Sequence, residues 1–91
     1  MQSVFLVEDN RILRMAMRHD LIKASYQVSI AEDGEQAVKS ACSDSPDIIL
    51  LDMILPKLSG PDVLTRLKQD PATALIPVIV STGLSKKNEQ N

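Results

Sequence analysis

The chain has 91 residues, 44% of them apolar and 24% charged, with only 3 Gly and 5 Pro. That length builds a single domain, burying about 60–65% of its unfolded surface, and the composition excludes disordered, collagen-like and low-complexity classes. With 10 Lys+Arg against 12 Asp+Glu the net charge is −2 and no basic block occurs, so these residues lack the field that holds nucleic acid.

Short apolar runs alternate with longer helical stretches, the signature of βαβ units and a parallel sheet. Ser3 to Val7 is predicted as the first strand. Its run Val4-Phe5-Leu6-Val7 is broken at once by Glu8 and Asp9, too short for a signal-peptide core or a membrane span. Arg11 to Ala24 repeats Leu13, Met17, Leu21 and Ala24 on one helical face, with Asp9 or Asn10 placed to cap its start. Ile12, Met15, His19 and Ile22 form a second, mostly apolar stripe on that helix.

Gln27 to Ala31 is a weaker second strand. Asp33-Gly34-Glu35 opens a second helix whose face is Ala37, Val38, Ala41 and Cys42, and Pro46 stops it. Ile48 to Leu51 is the third strand. Pro61 starts a third helix that runs through Leu64 and Leu67 to Asp70-Pro71. Val78 to Ser81 is the fourth strand, and the segment from Ser85 is suited to open a fourth helix. Strands one, three and four lack polar alternation, so burial on both faces of the sheet is expected, with helices above and below. One cysteine, Cys42, cannot close an intrachain disulfide, and with the single His19 it makes no zinc set. A reducing, cytosolic compartment away from membranes is expected.

In a parallel sheet the chemistry belongs at the carboxyl ends of the strands. The residues just past those ends are Glu8 and Asp9, then Asp52, then Thr82 with Gly83. If strands one and three are neighbours, about 4.8 Å apart, their carboxylates repel unless a cation lies between them. Magnesium suits a few carboxylates and accepts a phosphoryl oxygen as a further ligand. Asp52 also begins a loop, so its carboxylate can be presented as a nucleophile toward phosphorus, giving an acyl phosphate. The plainer readings are a helix cap for Glu8-Asp9, an Asx turn for Asp52 and a turn residue for Thr82.

The acid pair in Leu6-Val7-Glu8-Asp9-Asn10 is followed by Glu32-Asp33-Gly34, then by Asp52 with Pro56 and Gly60 after it, and by Pro77-Val78-Ile79-Val80-Ser81-Thr82. This ordered set resembles the receiver domain of bacterial response regulators over nearly the whole chain. The resemblance implies a flavodoxin-like, doubly wound parallel α/β sheet in the order 2-1-3-4-5. It implies Asp52 as phosphoacceptor, and Mg²⁺ held by Glu8, Asp9, Asp52 and the backbone carbonyl of Ile54. It implies Thr82, rather than its neighbour Ser81, as the hydroxyl that contacts the phosphoryl group and switches the following loop. Gly83 stands where alanine is more usual and gives that loop more backbone freedom.

The phosphoryl donor would be a histidine on a kinase or phosphotransfer protein, and His19 reads as a surface residue. The stripe on helix one and the loop at Pro56, Lys57 and Leu58 are where such a partner would dock, unless the fifth helix covers part of that side. Pro56 and Gly60 read as shaping the loop, and Cys42 as a packing residue. Asp20 falls where the family often has an apolar residue.

A full receiver also has a fifth strand ending in a lysine, then a fifth helix, and residues 1–91 contain neither. Lys86 and Lys87 read as a solvated helix face rather than as substitutes for that lysine. The chain is therefore read as one receiver domain over residues 1–91, incomplete at its C-terminal end, with the fourth strand as an open edge. Truncation is the first explanation, exchange of the missing element between two copies the second, and a natural four-stranded form the third. The expected role is a signalling switch rather than an enzyme. A phosphohydrolase usually carries a second acid two residues past its nucleophile, and Ile54 stands there. A non-phosphorylated pseudo-receiver is the alternative left by the missing lysine.

Overall fold

Val4, Phe5, Leu6 and Val7 are four successive apolar residues, and a strand sends them alternately to its two faces. All four are buried, so the strand they form needs cover on both sides. The structure, a computed structural model, describes residues 2–81. Its elements are β1 (Ser3–Val7), α1 (Arg11–Lys23), β2 (Gln27–Ala31), α2 (Gly34–Asp44), β3 (Ile48–Asp52), α3 (Gly60–Gln69) and β4 (Val78–Ser81). The sheet is parallel throughout in the order β2-β1-β3-β4. Thr82, Gly83, Lys86, Lys87 and the fourth-helix start expected at Ser85 lie outside the described residues.

The alternation of β1 and β3 sorts the core. Phe5, Val7, Ile49 and Leu51 pack with Ala37 and Ala41 of α2 and Val63 and Leu67 of α3. The other face of the sheet, at Leu6 and Leu50, forms a groove with Leu13 and Met17 of α1 and Ile79 of β4. Alanines line α2 where it meets the sheet, whereas α1 faces the other side with the longer Leu13 and Met17.

Each helix begins at a side-chain cap that satisfies an amide the helix leaves unpaired. Asn10 Oδ1 accepts from the Leu13 amide at 2.9 Å and Asp33 Oδ1 from that of Gln36 at 2.8 Å. Ser59 caps α3 ahead of Pro61. Of the two caps open for α1, the structure uses Asn10. At the far end of α2, Ser45 takes the left-handed conformation at φ 46°, which turns the chain before Pro46.

Three sequence expectations are corrected. Asp52 is the last residue of β3 rather than the first beyond it, because its in-register neighbour Ser81 continues the ladder. Burial of both faces of β4 does not hold: Ile79 and Val80 are exposed, since β4 is the edge of the described sheet. Ala24 is exposed and only caps α1, and the residue of that helix that is buried is Arg14.

Cys42, on the α2 face, donates its thiol to Asp70 Oδ2 at 3.0 Å. That hydrogen bond, together with burial and the nearby negative charge, pushes the thiol above its ordinary 9.0. A raised value favours the native state below the unfolded thiol's pKa, and the gain fades as pH rises through the folded one. Alkylation of the folded protein is expected to reach half its maximal rate above pH 9.0, and Asp70→Asn should move that midpoint down. Equal midpoints in the two proteins would contradict the contact.

Candidate functional site

Register brings the acids together. Val7 pairs with Leu51, so the residues that follow them, Glu8 just past β1 and Asp52 at the end of β3, lie at the same carboxyl edge of adjacent strands. The Glu8 amide donates to the Ala31 carbonyl at 3.1 Å, carrying the β1–β2 ladder one residue further before the chain turns into α1. Glu8 and Asp52 are buried, 4% and 2% exposed, and Asp9 is exposed. One carboxylate oxygen from each of the three lies within 4.8 Å of the others.

Two of these carboxylates are also held by the backbone that follows them. Glu8 Oε2 accepts the Asn10 amide at 3.0 Å and Asp52 Oδ1 accepts the Ile54 amide at 3.1 Å. The Asx-type contact of Asp52 and its convergence with the other acids therefore coexist. Ile54 itself sits two residues on, with an exposed side chain.

The loop from Met53 to Ser59 is pinned at both ends. The Met53 amide donates to the Ser81 carbonyl and the Gly60 amide to the Met53 carbonyl. Lys57 has φ 67°, and the Leu58 amide reaches back to the Pro56 carbonyl at 2.8 Å, the tight turn of a γ-type reversal. Lys57 Nζ then meets Asp33 Oδ2 at 3.5 Å. The Gln36 amide that Asp33 accepts, aided by this ammonium, holds the Asp33 carboxyl below its ordinary 3.8. The start of α2 and the loop after Asp52 are thus joined by charge as well as by packing.

All the donors in the acid cluster are carboxylate oxygens, two of them buried, which is the chemistry of a hard, oxygen-binding dication and of no soft metal. The residues present fit Mg²⁺. Sequence reasoning located all three acids. It missed Arg14, which reaches the same corner from α1, and the Asp33–Lys57 pair. An arginine on the inner side of an otherwise apolar helix face was the available signal for the first.

The parallel α/β sheet thus carries its acid cluster at the carboxyl edge of its adjacent central strands. Residues 4–91 match the family model described as the response regulator receiver domain. The chain is 40% identical over 90 residues to the polar-differentiation response regulator DivK of Brucella anthropi, covering 98% of this chain and 72% of that protein. It is 37% identical over 87 residues to the response regulator PleD of Caulobacter vibrioides, covering 96% of this chain but only 19% of PleD. Among solved structures, the receiver domain of a sensor histidine kinase from Pseudomonas aeruginosa PAO1, with magnesium coordinated in its active-site cleft, superposes with a TM-score of 0.87. Identity there is 32%, over 97% of this chain and 74% of that one. This chain belongs to the response regulator receiver domain family. Its fold is the flavodoxin-like receiver fold, described through β4. Among the described residues, no helix is long and apolar enough to cross a membrane.

Proposed function

We propose that residues 1–91 form a receiver unit that switches on when Asp52 takes a phosphoryl group from a phosphohistidine of a kinase or phosphotransfer protein, or from a small acyl phosphate. The observation that carries this reading is the meeting of Glu8, Asp9 and Asp52 within 4.8 Å at the sheet edge. A carboxylate oxygen of Asp52 forms the new bond to phosphorus. The bond from phosphorus to the donor atom breaks, and its electron pair leaves with the donor. The Ile54 amide orients the attacking carboxylate through Oδ1, so less of the geometry is left to chance at the moment of transfer.

Glu8, Asp9, Asp52 and the Ile54 carbonyl would hold Mg²⁺, which when bound supplies charge neutralisation for the incoming phosphoryl oxygens. Thr82 would donate its hydroxyl to the phosphoryl group and draw the following loop with it. Ile54 where a hydrolase would carry a second acid favours storage of the phosphoryl group over turnover, a switch rather than an enzyme.

On α1, Ile12, Met15 and Ile22 are exposed, and Ile54 is exposed on the loop after Asp52. A helix of the phosphoryl donor laid on these apolar groups would bring its histidine toward Asp52. The exposed Ile79 and Val80 of β4 suit pairing or exchange with a second copy. The proposal places the unit in the cytoplasm and, with a net charge of −2, without nucleic-acid contact through these residues.

The test is incubation with acetyl phosphate, with Mg²⁺ or with a chelator, followed by intact mass. A phosphoryl adduct that needs Mg²⁺ supports the switch. Failure to bind Mg²⁺, with no adduct from acetyl phosphate or a phosphohistidine donor, would instead favour a pseudo-receiver.

A further inference from the structure

Arginine is almost never fully buried unless it is paired, yet Arg14 is only 8% exposed. Its ion-pair partner does not explain this. Glu32 Oε1 lies 3.4 Å from Nη2, and the Glu32 side chain is 63% exposed, a surface pairing of small worth. The stronger contacts are to backbone: Nη1 donates to the Glu8 carbonyl at 3.0 Å and to the Asp9 carbonyl at 3.3 Å. The Arg14 amide meanwhile closes the first turn of α1 on the Asn10 carbonyl at 2.8 Å. One planar, always-charged fork therefore ties together the two peptides of the acid pair, the start of α1 and the loop after β2.

We infer that Arg14 is a positioning residue for the cation site, holding the Glu8 and Asp9 backbone so that their carboxylates converge on Asp52. The inference rests on reading those three acids as the Mg²⁺ site. Direct binding is not its role, since a guanidinium has no lone pair to offer a metal. Coulomb's law and positioning predict opposite signs. As a mere positive charge, Arg14 repels a dication, and neutralising it would tighten Mg²⁺. As a clamp, its loss frees the acid pair and weakens Mg²⁺, in the manner of outer-shell partners whose removal costs about 10–100-fold in metal affinity.

The experiment is a Mg²⁺ titration followed by backbone amide NMR at Glu8, Asp9 and Asn10, on wild type, Arg14→Gln, Arg14→Lys and Asp52→Asn, with thermal unfolding of each metal-free protein. Weakening by about 10-fold or more in Arg14→Gln, with a smaller loss in Arg14→Lys, supports the clamp. Lysine keeps the charge and the aliphatic stem but not the fork. If Arg14→Gln does not fold, Arg14→Lys carries the test alone. Unchanged or tighter binding in the folded arginine variants, while Asp52→Asn weakens it, overturns the inference and leaves the site reading standing. If Asp52→Asn titrates like wild type, the site reading fails and the inference falls with it.

Discussion

Asp52→Asn is expected to make the metal-free protein more stable, by about 1–2 kcal/mol, and to remove most of the stabilisation expected from Mg²⁺ in the wild type. The three acids share a corner with oxygens within 4.8 Å. Two unit charges at such a distance repel by about 3–4 kcal/mol at an effective dielectric near 20, a figure that exposure of Asp9 to solvent reduces. Asparagine removes one charge while its Oδ1 can still accept the Ile54 amide. Saturating Mg²⁺, at about 100 times its Kd, should stabilise the wild type by about 2.7 kcal/mol and the variant by far less. Urea midpoints with and without Mg²⁺ read all four states. A metal-free variant weaker than wild type, stabilised equally by Mg²⁺, would show that the acids neither repel nor share an ion.

Gly60→Ala is the second large effect, of the opposite sign. A methyl group there would stand 2.6 Å from the Asp52 carbonyl oxygen and closer still to Met53 Cα. Both are main chain, so relief requires moving the strand end that carries Asp52. Overpacking of this kind costs about 3 kcal/mol or more. Gly34 faces the same loop from α2, where a methyl would strike the Leu58 carbonyl and lie 2.7 Å from Leu58 Cβ. Gly60→Ala should therefore lower the urea midpoint and weaken Mg²⁺ together. Native stability with native Mg²⁺ affinity would mean that the loop is not pinned by this approach.

Much of this architecture was legible in the chain. The run Val4 to Val7, the Asp33 cap and Pro61 are local signals, and β1, α2 and α3 lie close to where those signals place them. Glu8, Asp9 and Asp52 could be grouped because parallel topology sends the ends of adjacent strands to one edge. Contacts between separate loops were not legible. Nothing local to Lys57 announces its pairing with Asp33, and nothing local to Arg14 announces two carbonyl acceptors, because both depend on the distance between turns that only the assembled sheet sets. The open edge at β4 was legible from the topology, whereas the apolar composition of Val78 to Val80 taken alone pointed to burial on both faces.

The most direct measurement is chemical. The protein is phosphorylated with acetyl phosphate and Mg²⁺, reduced with borohydride, which converts an aspartyl phosphate to homoserine, and mapped by peptide mass. Homoserine at position 52 is the predicted result. Reduction at a different carboxylate, or at none in a protein that binds Mg²⁺ at this corner, would contradict the account.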